Sequence, residues 1–325
     1  MSLLQVAAIS QQHNGNPVLN NVSFSQQLFQ KIAVMGETGS GKTSLLKIIA
    51  GLQQPVSGEV WYEGKKVQGP NEKLVAGNDC IGYISQHFEL RNNYRVEEEL
   101  EYSNRLSKKT ASEIYEICRI SHLLKRWTDE LSGGERQRIV IARALIASPG
   151  MLLLDEPFSN LDMKNKQMMK AVLDDITEKL KITCILVSHD PRDILSWADK
   201  VLVLQNGSLI QEGAPSQLYL HPVNEYTASL FGNYNVVTSA HKRLFPALTS
   251  SGNFMIRPEY FTVKRATPAV VVKGRVEKII FLGSYLEVLV AVEDASIIAS
   301  VPVCELAAGD TVEVALRADW QQAHS

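Results

Sequence analysis

Four short apolar runs, IAVMG at 32–36, IGYISQ at 81–86, MLLLDE at 151–156 and ILVSHD at 185–190, each give way to glycine or polar residues. Strands that are apolar on both faces and turn polar only at one end suit a parallel sheet covered on both sides. Helical stretches lie between them, at Lys42 to Ala50 and Gly134 to Ala147, so the first part of the chain reads as α/β. Near the N-terminus VAAIS and VLNNVSFS alternate instead. GEVWYEGKKV and VLVLQNGSLIQEG have the form of hairpins, the second turning at Asn206 and Gly207. An antiparallel subdomain beside the parallel sheet is predicted.

Residues 97–130 are charged, helical in composition and free of glycine, which predicts an inserted helical arm extending over about 87–147. From Val236 the pattern changes to short strands separated by turn residues, among them MIRPEYFTV, AVVVKGRVEKIIFLG, YLEVLVAVED, SIIASVPV and DTVEVALRAD. That predicts a small all-β barrel or sandwich. The expected division is 1–235 and 236–325, in line with about two domains for 325 residues.

Lys plus Arg number 33 against 35 for Asp plus Glu, a net charge of −2, and charged residues make up 21%. A disordered chain and a nucleic-acid-coating protein are both disfavoured. No apolar run approaches the roughly 18 residues that a membrane-crossing helix needs, and MSLLQVAAISQQHNGN lacks the layout of a signal peptide, so a cytoplasmic location is expected. The spacing of Cys80, Cys118, Cys184 and Cys304 fits neither zinc nor redox sites. Reduced and mostly buried thiols are expected.

The segment Gly36-Glu37-Thr38-Gly39-Ser40-Gly41-Lys42-Thr43, followed by Ser44, is a G-x-x-x-x-G-K-[ST] loop between a buried strand and a helix. Its glycines let backbone N–H groups converge on nucleotide phosphates, Lys42 adds a point charge, and Thr43 offers a hydroxyl to Mg²⁺. At the end of MLLLDE, Asp155 is placed to hold Mg²⁺ through water and Glu156 to orient or deprotonate an attacking water; alone, such a pair could equally be a solvated turn. Gln86 and His189 also stand at strand ends. The first can reach Mg²⁺ or the water, the second the γ-phosphate. Ser132, Gly133 and Gly134, in LSGGERQR at 131–138, begin a second helix with a serine cap and N–H groups open to a phosphate.

Taken together, the loop at 36–43, Gln86, LSGGERQR, MLLLDEP at 151–157, SNLD at 159–162 and His189 resemble the ATP-binding cassette ATPases in order and approximate spacing. The resemblance covers residues 1 to about 235, and LSGGE is its most specific part. It implies a phosphate-loop cassette fold, with ATP and Mg²⁺ as cofactors. It also implies a head-to-tail dimer with a second copy, in which ATP on the Lys42 loop is closed over by Ser132 and Gly134 of the other chain. Gln86 and the following HFELRNNYRVEEEL would face a membrane permease, and Asp162 would link the two sites.

NGSLIQEGAPSQLYLHPVNEYTASLFGNYN, IRPE at 256–259 and GRVEKIIFLG at 274–283 are similar to the C-terminal half of bacterial import ATPases, with its OB-type (TOBE) domain. The implied function is ATP-driven solute uptake, with the chain lying on the inner face of the membrane beneath a permease fed by an external solute-binding protein, and no nucleic acid involved. A non-transport ABC ATPase of repair or translation, or an exporter ATPase, is the alternative. Three features depart from the importer pattern. His13 stands where an aromatic residue usually faces adenine, and reads equally as a stacking imidazole or a loop residue. RNNYR at 91–95 replaces a Tyr-Pro-His-Met-Thr stretch, and the region ahead of IRPE is short. Polyamine, ferric iron, sulfate or molybdate and sugar stay open as cargo.

Overall fold

The computed structural model describes residues 2–245, 248, 253–265, 272–317 and 320. The alternating N-terminal segments form the antiparallel pair β1 (Leu4–His13) and β2 (Asn16–Gln26). β3 (Lys31–Met35) then runs into the glycine-rich loop and α1 (Lys42–Ile49). β4 (Ser57–Tyr62) and β5 (Lys65–Lys66) make the first expected hairpin, and β6 (Ile81–Ile84) leads into the arm. The arm comprises α2 (Val96–Glu101), α3 (Lys108–Ile117) and α4 (Gly133–Ile146). There follow β7 (Met151–Asp155), α5 (Met163–Lys179), β8 (Thr183–Val187), α6 (Pro191–Leu195), and β9 (Lys200–Gln205) with β10 (Ser208–Gly213) as the second hairpin.

One sheet has the order β10-β9-β3-β8-β7-β6 and is parallel except for β10; a second, β2-β1-β4-β5, is antiparallel. β7 and β8 are buried at every position. Their alternate residues serve two different cores, which is why these strands read as unbroken apolar runs. Leu152, Leu154, Cys184 and Leu186 pack with the arm and α5, whereas Met151, Leu153, Ile185 and Val187 pack with α1 and the antiparallel sheet. The C-terminal ends of β3, β6, β7 and β8 deliver the glycine-rich loop, Gln86, Asp155 with Glu156, and His189 to one rim, the edge at which open α/β sheets bind ligands.

The described residues divide into two compact units between Pro215 and Ser216. The second contains α7 (Pro215–Leu220, its first residue on the other side of the division), α8 (Glu225–Leu230), β11 (Asn235–Val237) and β12 (Phe254–Ile256). It continues with β13 (Phe261–Arg265), β14 (Lys273–Phe281), β15 (Tyr285–Val292), β16 (Ala295–Pro302) and β17 (Thr311–Leu316), an antiparallel sheet of order β13-β17-β14-β15-β16 around its own apolar core. The strand expectations at 269–271 and 318–319 lie outside the described residues.

The division falls ahead of the expected 235/236 junction because Arg257, of IRPE, gathers the intervening segment. Only 2% exposed, it donates from Nε to Tyr219 O at 3.0 Å and from Nη1 to Ala228, Gly232 and Asn233 O at 2.9, 3.1 and 3.2 Å. Its guanidinium also lies 4.3 Å from the Tyr219 ring centroid. The planar fork thereby ties the end of α7, the last turn of α8 and Gly232 and Asn233 beyond it to one side chain, sharing Ala228 O with the Phe231 N–H. Arg257→Lys, with a single nitrogen, is expected to cost about 3 kcal/mol of stability in this unit. Urea unfolding followed through the buried Trp320 reads the shift; an unmoved midpoint would deny Arg257 that role.

The cysteines depart from expectation. Cys118 and Cys184 are buried, and burial pushes both thiols up to about 12, but Cys80 and Cys304 are exposed. Both lie outside the strands they adjoin, Cys80 just before β6 and Cys304 just after β16, where apolar neighbours in sequence no longer imply burial.

Candidate functional site

Gly36 and Gly41 shape the loop. Their φ angles of 154° and 97° favour glycine, and a Cβ would stand 2.3 Å from Leu204 O at the first and 2.6 Å from Val18 O at the second. α1 starts at Gly41 with no side-chain cap and no acidic residue in its first turn, which leaves the N–H groups there to an anion. Lys42 is 8% exposed, and its ammonium donates to Gly36 O at 2.8 Å, Glu37 O at 2.7 Å and Ser40 Oγ at 3.4 Å. Burial lowers its pKa, opposed by Glu156, Asp155 and Glu37.

His13, Thr38, Gly39, Gly41, Lys42, Thr43, Ser44, Gln86, Asp155, Glu156 and His189 all line one open cleft of about 700 Å³. Gly36, Glu37 and Ser40 stand just behind it as the acceptors for Lys42. Val18, Lys47, Gln53 and Val187 also line it; nothing in the local sequence pattern marks them.

Asp155 is 3% exposed. Its Oδ2 accepts from the Tyr83 hydroxyl at 3.1 Å, while Oδ1 is buried without a hydrogen-bond partner among the described residues. An orphaned carboxylate oxygen in a residue lining a phosphate-type cleft, with Thr43 and Gln86 lining the same cleft, is a donor set that fits Mg²⁺, a hard cation served by oxygen ligands.

Glu156 has a left-handed backbone, φ 54°, unusual for a side chain of its size. Three hydrogen bonds hold it there: its N–H donates to Val187 O at 3.1 Å, and Ser159 donates to its carbonyl from N at 3.1 Å and from Oγ at 2.8 Å. The turn aims the carboxylate at His189, whose Nδ1 lies 2.7 Å from Oε2. Glu156 and His189 are thus a hydrogen-bonded pair. Ser159 carries no signal of its own beyond its place in SNLD; its role in fixing the Glu156 backbone and the role of Tyr83 at Asp155 emerge from contacts across the fold.

Ser132, Gly133 and Gly134 lie outside this cleft. Ser132 caps α4 as expected, but its hydroxyl also donates to Glu135 Oε2 at 2.8 Å, so a carboxylate occupies the first turn. Gly133 is exposed, and a Cβ there would meet nothing within 4 Å, whereas a Cβ at Gly134 would stand 2.9 Å from Asn165 Cγ. Asn165 in turn donates to Asp162, which caps α5.

A glycine-rich loop, a buried lysine and a strand-end carboxylate pair on the rim of a parallel sheet define a phosphate-loop ATPase. The family model for "ABC transporter" matches residues 19–159, and that for "TOBE domain" matches 254–323. The chain is 34% identical to the glucose import ATP-binding protein GlcV of Saccharolobus solfataricus, over 85% of each chain. It is 30% identical to the sulfate/thiosulfate import ATP-binding protein CysA of Synechococcus elongatus, over 91% of this chain and 87% of that one. With the Fe(3+) ions import ATP-binding protein FbpC of Serratia marcescens it shares 33%, over 83% of both. Among solved structures, cbiO1 from Clostridium perfringens superposes with a TM-score of 0.61 at 23% identity, over 68% of this chain and 91% of that one. A dimeric ATP-binding cassette bound to ADP and Pi gives 0.57 at 24%, over 65% and 98%. The chain belongs to the ABC transporter family: it is an ATP-binding cassette ATPase with a TOBE domain.

Proposed function

We infer that this chain is the ATP-hydrolysing subunit of an ABC importer, working as a head-to-tail pair on the inner face of a membrane beneath its permease. One observation carries the paired site: a single chain gathers the phosphate loop, Asp155, Glu156 and His189 in one cleft, while the exposed Ser132–Gly133 helix start lies outside it. The site is complete only when a second copy brings that helix start to the nucleotide. Import, over the repair, translation and export alternatives, is supported by the TOBE domain and by relatives that are import ATP-binding proteins.

The loop N–H groups and Lys42 bind and orient the β- and γ-phosphates, the ammonium exchanging loop carbonyls for phosphate oxygens. Thr43, Gln86 and Asp155 would hold Mg²⁺, which when bound supplies neutralising charge to those oxygens. Glu156 orients the attacking water and takes up its proton, and His189, bonded to Glu156, keeps that carboxylate aimed. Positioning and charge are what phosphoryl transfer asks of a protein. The transported solute never enters this cleft. The relatives' cargoes are glucose, sulfate or thiosulfate and ferric ions, so sugar, oxyanion and iron are candidates to be tested, beside the polyamine that the sequence resemblance keeps open.

Co-expression with the permease subunits of a candidate importer should place the chain in membranes. In reconstituted vesicles, ATP on its side and the loaded solute-binding protein on the other should drive uptake of one labelled candidate and raise hydrolysis. Stimulation by nucleic acid instead, with no membrane partner, would overturn the importer reading.

A further inference from the structure

Tyr83 lies outside the nucleotide cleft, in a position to which neither the phosphate loop nor the LSGGE segment assigns a role. β6 and β7 run parallel with Tyr83 opposite Leu153, so Asp155, two residues further along β7, is its diagonal neighbour on the same sheet face. That is the face covered by α1: Ile81, Met151 and Leu153 are buried in that core, and the Tyr83 ring packs against it. From there the hydroxyl reaches Asp155 Oδ2 at 3.1 Å. Between a phenol O–H and a carboxylate oxygen, the phenol is the donor. The carboxylate is therefore asymmetric, with Oδ2 tied and Oδ1 buried without a partner among the described residues.

We propose that Tyr83 is a positioning residue for the metal site, its hydroxyl fixing the Asp155 rotamer so that Oδ1 is presented to the Mg²⁺ that accompanies ATP. This rests on the reading that Thr43, Gln86 and Asp155 hold that ion. A carboxylate free to rotate at a strand end must be ordered when the ion binds, whereas a donor on one oxygen orders it beforehand, which is how partners behind a ligand raise metal affinity.

Tyr83→Phe removes one oxygen and keeps the ring. Mn²⁺ titrated into the protein with a non-hydrolysable ATP analogue, with free Mn²⁺ read by electron paramagnetic resonance, should bind about tenfold more weakly than to the parent. The affinity of the analogue without divalent ion should not change, and saturating Mg²⁺ should restore most of the hydrolysis. Asp155→Asn is the reference and should lose Mn²⁺ more severely. Parent-like Mn²⁺ affinity in Tyr83→Phe beside weak binding in Asp155→Asn would overturn the role of Tyr83 and leave that of Asp155 standing. Unchanged binding in both would overturn the metal assignment and the proposal with it. A lowered melting temperature with parent-like Mn²⁺ affinity, or an equal loss of analogue affinity with and without the ion, would make the hydroxyl structural and reject the proposal.

Discussion

Glu156→Gln is expected to bind ATP like the parent and to hydrolyse it about 10²- to 10⁴-fold more slowly, the usual contribution of a positioned proton acceptor. The substitution is unusually clean here. The backbone of residue 156 is fixed by Val187 and Ser159 through main-chain groups that glutamine keeps, and its amide can still pair with His189 Nδ1 in either tautomer. Only the carboxylate charge and its basicity are lost. With hydrolysis stopped, the ATP-bound pair should persist, so the variant with MgATP should elute as a dimer. Parent-like phosphate release, or a monomer under those conditions, would remove Glu156 from the catalytic role.

Mixing Lys42→Ala with Gly133→Asp tests whether each site is shared. Lys42→Ala takes the buried cation from the bound phosphates. Gly133→Asp leaves the loop intact and puts a carboxylate at the exposed start of α4, where it would face the partner's γ-phosphate. Like charges about 4 Å apart in a poorly hydrated gap cost about 4 kcal/mol, near a thousandfold in rate. Gly133 serves better than its neighbour Gly134, because a side chain at Gly134 would push on Asn165 and through it on Asp162, confusing the partner's site with the chain's own. Each variant alone should be nearly inactive, Gly133→Asp while still binding ATP. Mixed, one composite site has both parts intact, and phosphate release should peak near equal amounts. A flat line would mean that the two sites fire only together; a fully active Gly133→Asp homodimer would refute the shared site.

Most of the ATPase core was legible in the sequence, because its signals are local. Buried parallel strands read as apolar runs, the loop at 36–43 needs glycines at fixed offsets, and Asp155 and Glu156 interrupt a strand where its apolar character must end. Both hairpins and the all-β second unit followed from strand patterns in the same way. IRPE was legible as a resemblance but not as physics: the four carbonyls that Arg257 binds lie 24 to 38 residues upstream.

Tertiary structure alone decided which partners meet. The Glu156 carboxylate pairs with a histidine 33 residues away, and Asp155 takes a proton donor from a tyrosine 72 residues upstream on a neighbouring strand. Neither separation leaves a periodic trace, since strand order β8-β7-β6 is set by crossover helices and not by chain order. That only Cys118 and Cys184 of the four cysteines are buried, where most were expected to be, has a related reason: whether a residue just beyond a strand is covered depends on what packs over that end. The sequence thus determined the cassette's elements and the chemistry-bearing residues at their ends, through periodicity and backbone conformation. The fold determined how those residues are oriented, because hydrogen bonds between strand ends exist only once the sheet has brought them side by side.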